Sequence, residues 1–230
     1  STLAETEELI ARAQAAKRYV FEAVTPLFLP NYRRIMEMLP MLGLIRLVQA
    51  NYSQYSSRYD RYLDRDVAPV FDPSLSGGAL YDLNVYNLSL IISLFGRPQS
   101  ASYAANIGFN GIDTSGILTL RYDGFVASAA AAKDSMSPSF FMIQGESGWI
   151  HAEGTPNELR SFTVGLRGKE PRTYALNRYE HRMVHEFEAM RDIFERGDYA
   201  RAEEGLHTTR TVMAVMEKAR LMAGIQFRAD

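Results

Sequence analysis

A chain of 230 residues with 47% hydrophobic and 23% charged residues can bury a core without disulfides or metals, and sits at the globular average, which excludes a disordered or fibrous protein. A net charge of −2 with no block of Lys or Arg argues against nucleic acid as the main partner. The absence of Cys removes disulfides, thiolate metal sites and cysteine nucleophiles together; with no apolar run near the ~20 residues that cross a bilayer, a cytoplasmic protein that makes no membrane contact is expected.

Thr2-Leu3-Ala4-Glu5 has the spacing of a capping box, and Leu9, Ile10 and Ala13 continue it as a helix to about Ala16. Tyr19 to Val24 is rich in β-formers and reads as a short strand. A helix followed directly by a strand is half of a βαβ unit. Pro30-Asn31 opens a second helix, with Tyr32, Ile35, Met36 and Leu39 on one side and Pro40 and Gly43 at its end. Leu44 to Tyr55 reads as a long strand. A polar stretch from Ser56 to Ser76 follows, and then a helix from Gly78 to Phe95, stopped by Gly96 and Pro98.

Beyond it, segments 100–109, 116–122, 125–131, 139–144 and 148–153 are short and β-rich, with Asp123-Gly124 and Gly145 to Gly148 as tight connections. Weaker strands at 160–166 and 171–175 continue what reads as an antiparallel meander, and helices over 178–196 and 201–223 close the chain. The class is therefore α+β: an open, predominantly antiparallel sheet with helices on one face. Apolar residues on both alternations of Phe140-Phe141-Met142-Ile143 point to a homodimer made by packing the open sheet faces together.

The segment Gly77 to Asn87 carries the most chemistry. A helix advances about 100° per residue, so Asp82, Tyr86, Ser89 and Ser93 project within an arc of roughly 60°. Most of the remaining circumference is apolar, from Leu80 to Phe95. Asp82 and Tyr86 therefore read either as a catalytic pair lining a cleft, or as an early-helix carboxylate favoured by the macrodipole beside a rim aromatic. Gly78 lets the backbone approach something closely at the helix start. Arg58 can reach a substrate hydroxyl from the polar loop, and Tyr55 is a strand residue that can form a pocket wall. His181 and His185 stand one turn apart, but no third ligand accompanies them, so no metal site is expected. No G-x-G-x-x-G and no phosphate loop occurs, which leaves the cofactor-binding residues unknown.

The order Glu22-Ala23, Pro30 and Gly43-Leu44-Ile45-Arg46, then Gly77 to Tyr86, Leu94 to Pro98, and finally Ile143 to Ile150, resembles the glucose–fructose oxidoreductase / inositol dehydrogenase family (Gfo/Idh/MocA) along essentially the whole chain. The resemblance implies an oxidoreductase that moves hydride between NAD or NADP and a sugar, polyol or related alcohol. It also implies that Asp82 and Tyr86 match the family's D-x-x-x-H/Y pair. A Tyr in the second position is similar to the dihydrodiol dehydrogenase and glucose–fructose oxidoreductase branches. Residues 1–24 would be a remnant of the dinucleotide-binding domain and 25–230 the substrate-binding and dimerisation domain. The family's Glu-Lys-Pro lysine would fall just before Ser1, so this chain alone is expected to be inactive. The alternative is a non-catalytic dimerisation or sugar-sensing module.

Overall fold

A computed structural model describes residues 2–227. Eight strands form one open sheet: β1 (Ile45–Ser53), β2 (Ser100–Ile107), β3 (Asp113–Arg121), β4 (Val126–Ala132), β5 (Phe140–Gly145), β6 (Gly148–Glu153), β7 (Phe162–Leu166) and β8 (Arg172–Tyr174). Their order is β2-β3-β4-β1-β5-β6-β7-β8. The turns marked in the sequence close two antiparallel runs, β2 to β4 and β5 to β8. Between them lies β1, parallel to β4 and antiparallel to β5. The expected single meander is thus two meanders joined across an early strand. Hairpin chemistry specifies only neighbours in sequence, whereas a parallel pair needs a long crossover that leaves no local signal.

Seven helices accompany the sheet: α1 (Leu3–Ala15), α2 (Pro30–Met38), α3 (Tyr59–Leu63), α4 (Ala79–Asp82), α5 (Asn84–Phe95), α6 (Met183–Glu195) and α7 (Tyr199–Met222). Among them α5 lies over β1 and β4, α4 over β3 and β4, and α7 over α5 and β2. Alternate strand residues follow this cover. Val48, Ala50, Leu118, Leu120, Ala127, Ala129, Phe141, Ile143, Ile150 and Ala152 are buried under the helices. Their neighbours in sequence point to the other, open face. The alanines of β4 leave room for α5, and two buried amides fasten it: Asn84 Nδ2 donates to Ala129 O and Asn87 Nδ2 to Ala130 O, each at 2.9 Å. No single helix among the described residues is long and apolar enough to cross a bilayer.

The capping box forms as spelled: Glu5 N donates to Thr2 Oγ1 at 3.2 Å, and Thr2 N to Glu5 Oε2 at 2.8 Å. Helix α1 then lies along α7, where Leu3 N donates to Glu217 Oε1 at 3.1 Å. The expected strand at 19–24 does not form. A strand exists only through a hydrogen-bonded neighbour, and the sheet leaves this segment outside. Its aromatics stack instead, Tyr19 on Tyr199 at 4.3 Å and on Phe21 at 5.8 Å between ring centroids.

A second correction concerns the site. The helix expected over 78–95 is broken at Leu83, and the chain bends by 59° between residues 73–82 and 84–95. Each half has its own anchor. Asp113 at the start of β3 holds the N-terminus of α4, while Asn84 and Asn87 hold α5 to β4. The 100° projection therefore does not run unbroken through Asp82 and Tyr86.

Candidate active site

Gly78 begins α4 with φ 100° and ψ 167°, a conformation that L side chains rarely adopt. A Cβ at this position would collide with the carboxylate of Asp113. Asp113 uses that space to cap the helix from another strand: its Oδ2 accepts Leu80 N and Tyr103 Oη, both at 2.7 Å. The close approach read into the double glycine is therefore the approach of Asp113. Burial pushes the Asp113 carboxyl above its usual range, opposed by Tyr103, the Leu80 N–H and the charge of Lys133.

At the other end of this short helix the carboxylate of Asp82 projects into solvent, with 41% of its side chain exposed. Its Oδ2 accepts a hydrogen bond from Lys133 Nζ, and the Lys133 side chain is only 3% exposed. Lys133 directly follows β4, where its backbone N donates to Thr114 O at 2.8 Å and its carbonyl accepts Ser56 N at 2.9 Å. The ammonium also stands 5.0 Å from the ring centroid of Phe71. Burial lowers the Lys133 pKa, whereas Asp82 and Asp113 pull it back up.

Tyr86 lies one turn beyond Asp82, half-buried, with its ring 6.0 Å from that of Tyr52 at the end of β1. Burial raises the pKa of its phenol, and the charge of Asp82 adds to this, while the Arg182 guanidinium opposes it. The same cation acts on Tyr52. Arg182 precedes α6 and lines a cleft of about 630 Å³ with Glu158, Arg160, Asn177 and His181. Its Nη1 stands 3.8 Å from Glu158 Oε1, and its Nε is buried with no hydrogen-bond partner among the described residues. Asp82 and Tyr86 are thus electrostatic neighbours, linked to this cleft through the charge of Arg182, although neither side chain lines it.

The structure separates the rest of the polar stripe from them. Ser89 is buried, and Ser93 Oγ donates to Leu90 O at 3.0 Å. Both line a different cavity of about 380 Å³, with Tyr32 and Val85. Arg58 sits exposed at the start of α3, close enough for its charge to lower the Lys133 pKa. Tyr55 is 43% exposed, and its hydroxyl donates to Asp60 Oδ1 at 2.5 Å. His185 Nε2 accepts Arg178 N at 3.0 Å.

Sequence reasoning missed Lys133, Asp113 and Arg182. A signal existed for the first, a single cation closing the apolar run Ala129 to Ala132. A lone charge so placed is buried or nearly so, and needs a partner. Nothing local marked Arg182, which reaches the site only through the packing of α6.

Comparison with known proteins bears on this geometry. The family model of the GFO/IDH/MocA C-terminal domain matches residues 35–151, which carry β1 to β5, the start of β6, Asp82, Tyr86 and Lys133. The chain is 32% identical along its whole length to scyllo-inositol 2-dehydrogenase (NADP(+)) IolU of Bacillus subtilis, spanning 70% of that protein. It is 31% identical to the uncharacterized oxidoreductase YgjR of Escherichia coli, spanning 69% of it. A similar fold occurs in an inositol dehydrogenase homolog from Azotobacter vinelandii, solved with NADH and myo-inositol, with TM-score 0.76, 16% identity and coverage of 97% of this chain and 67% of that one. The aldose-aldose oxidoreductase of Caulobacter crescentus, solved with glycerol, aligns with TM-score 0.75 and 19% identity over 96% of this chain and 67% of its own. The open eight-stranded sheet with its helix-borne Asp82 and Tyr86, together with these matches, shows that the chain belongs to the GFO/IDH/MocA family of oxidoreductases.

Proposed function

We propose that this chain is the substrate-binding part of a nicotinamide-dependent oxidoreductase acting on a sugar, polyol or related alcohol. The observation that carries the reading is the electrostatic coupling of Asp82 and Tyr86 one turn apart, the carboxylate fixed by Lys133 and the phenol under the charge of Arg182. The relatives support the substrate class: one is named for scyllo-inositol and NADP(+), and a structural neighbour was solved with myo-inositol and NADH.

Tyr86 can move a proton, and hydride chemistry in this reading belongs to a bound nicotinamide. When bound, nicotinamide supplies the hydride acceptor or donor at its C4. Tyr86 handles the proton at the reacting oxygen. Because burial raises its pKa, the phenol carries its proton at neutral pH and is disposed to donate it to a carbonyl oxygen in the reductive direction. Oxidation needs the phenolate, so its rate rises with pH over the alkaline range. The carboxylate of Asp82 accepts a hydrogen bond from a substrate hydroxyl, and Arg58 donates one from the opposite loop. Tyr55 forms the wall behind Arg58, and the part of Gly78 narrows to setting where α4 begins.

In this reading residues 25–230 bind the substrate, and 1–24 belong with the dinucleotide-binding part. The open sheet face is the homodimer surface: Ile117 and Val126 are 54% and 46% exposed there, beside half-exposed Met142 and Trp149. A cytoplasmic location accords with the lack of Cys. The test is nicotinamide absorbance with the full-length protein that carries this chain, in the presence of inositol isomers and aldoses, in both directions. Tyr86→Phe should lower kcat/KM by about 10²–10⁴-fold with an unchanged melting temperature. Turnover equal to wild type would remove Tyr86 from the reaction. Polyol binding without any turnover would favour a sensing module instead.

A further inference from the structure

We propose that Lys133 is a positioning residue of this site: its buried ammonium fixes the Asp82 carboxylate so that the free Oδ1 faces the substrate's hydroxyl. The inference rests on the polyol reading above and names a group that reading does not require.

The ion pair is lopsided. Lys133 is sealed, with 3% of its side chain exposed, whereas Asp82 is 41% exposed. A surface pair with both partners solvated would be loose and weak. Here one end cannot move. Lys133 is held by backbone hydrogen bonds to Thr114 and Ser56 on either side, and its ammonium lies near the ring of Phe71. The carboxylate at the free end of a four-residue helix, next to the break at Leu83, is thereby tied to the rigid sheet. Lys133 engages Oδ2, and among the described residues no hydrogen bond to Oδ1 is present. One carboxylate oxygen is anchored, and the other is left for a ligand.

Stability alone does not account for this arrangement. Burying an ammonium costs several kcal/mol of desolvation, and an apolar side chain of similar length is often as stable or more so. A methionine would fill the same channel beside Phe71. What it would not do is hold an anion in one orientation at the rim. The charges of Arg58 and Asp113 also act on the ammonium: Arg58 repels it and Asp113 attracts it.

The experiment is a double-mutant cycle of Lys133→Met and Asp82→Asn in the full protein with scyllo- and myo-inositol. Lys133→Met should lower kcat/KM for the polyol about 10–100-fold, with the nicotinamide KM unchanged. On the Asp82→Asn background it should cost almost nothing further, because the residue acts through Asp82. Equal losses in both backgrounds, or no loss in either, would overturn the inference and leave the redox reading standing. Melting temperature provides a second readout: Asp82→Asn strands a buried cation and lowers it, and adding Lys133→Met restores it. Should Lys133→Met not fold, Lys133→Arg decides, since its displaced charge must alter polyol kinetics while sparing the nicotinamide KM; wild-type kinetics would again overturn the inference. If no alcohol is turned over, the redox reading fails, and calorimetry with myo-inositol decides about Lys133: weaker binding in Lys133→Met supports its role, and equal or no binding refutes it.

Discussion

The two faces of the sheet treat polar groups in opposite ways. On the helix-covered face Asp113, Lys133 and Asn84 are buried, and each is tied to a specific partner. On the open face Gln49, Ser128, Thr119 and His151 lie among Ile117, Val126, Met142 and Trp149, where a bond such as Gln144 to Gln49 at 3.0 Å closes only within the surface itself. Because leaving a buried polar group unpaired is costly, the covered face has a single workable arrangement. The open face has no such constraint. It tolerates change in the fold and expresses its chemistry only through what covers it.

The sharpest break of this contrast is Asp113→Ala, which leaves Leu80 N–H and Tyr103 Oη without their acceptor. A loss of about 2–4 kcal/mol is expected, from two stranded donors and a lost cap, read as a lowered urea midpoint. A loss under about 1 kcal/mol would mean that the covered face is less exacting than argued. Next comes Gly78→Ala, which needs φ 100° and puts a Cβ against Asp113. It should cost about 2 kcal/mol from strain and collision, with polyol KM rising as α4 shifts.

A smaller effect concerns His185. Its buried Nε2 accepts Arg178 N–H, and burial lowers its pKa, with the Arg178 charge adding to this. The unfolded chain therefore takes up this proton from about pH 6.5 downward before the folded chain does. Stability is full above that pH and falls as pH drops below it. His185→Gln should flatten melting temperature against pH over this range; an unchanged slope would clear His185 of the effect. The smallest expected change in folding comes from the open face. Met142→Glu should shift stability by no more than about 0.5 kcal/mol yet abolish self-association in sedimentation. A protein that sediments as before would remove the homodimer from this face.

Much of the architecture was legible because local chemistry specified it. The capping box at Thr2, the Asp123-Gly124 hairpin and the tight Gly145 to Gly148 connection between β5 and β6 each depend on residues close in sequence. Asp82 and Tyr86 stood out for the same reason, as polar residues one turn apart in an apolar segment. The failures share a cause. The 19–24 segment has the composition of a strand but no neighbouring strand, and helix-forming residues 78–95 are bent because Asp113 and β4 pull on two different points. The bend sets Asp82 apart from Tyr86, Ser89 and Ser93, which share α5, and the two serines line another cavity.

From its order of residues alone, this chain determines its α+β class, the positions of its strands and helices, and an acid and a phenol spaced to share a site, since these follow from periodicity, turn chemistry and side-chain polarity. Which strand lies beside β4, where the helix breaks, and which cations reach that acid and phenol are decided by three-dimensional packing. Lys133 is 51 residues from Asp82, and Arg182 comes still later in the chain. Only burial against the sheet makes such distant charges depend on one another, because desolvation forces each to find a partner.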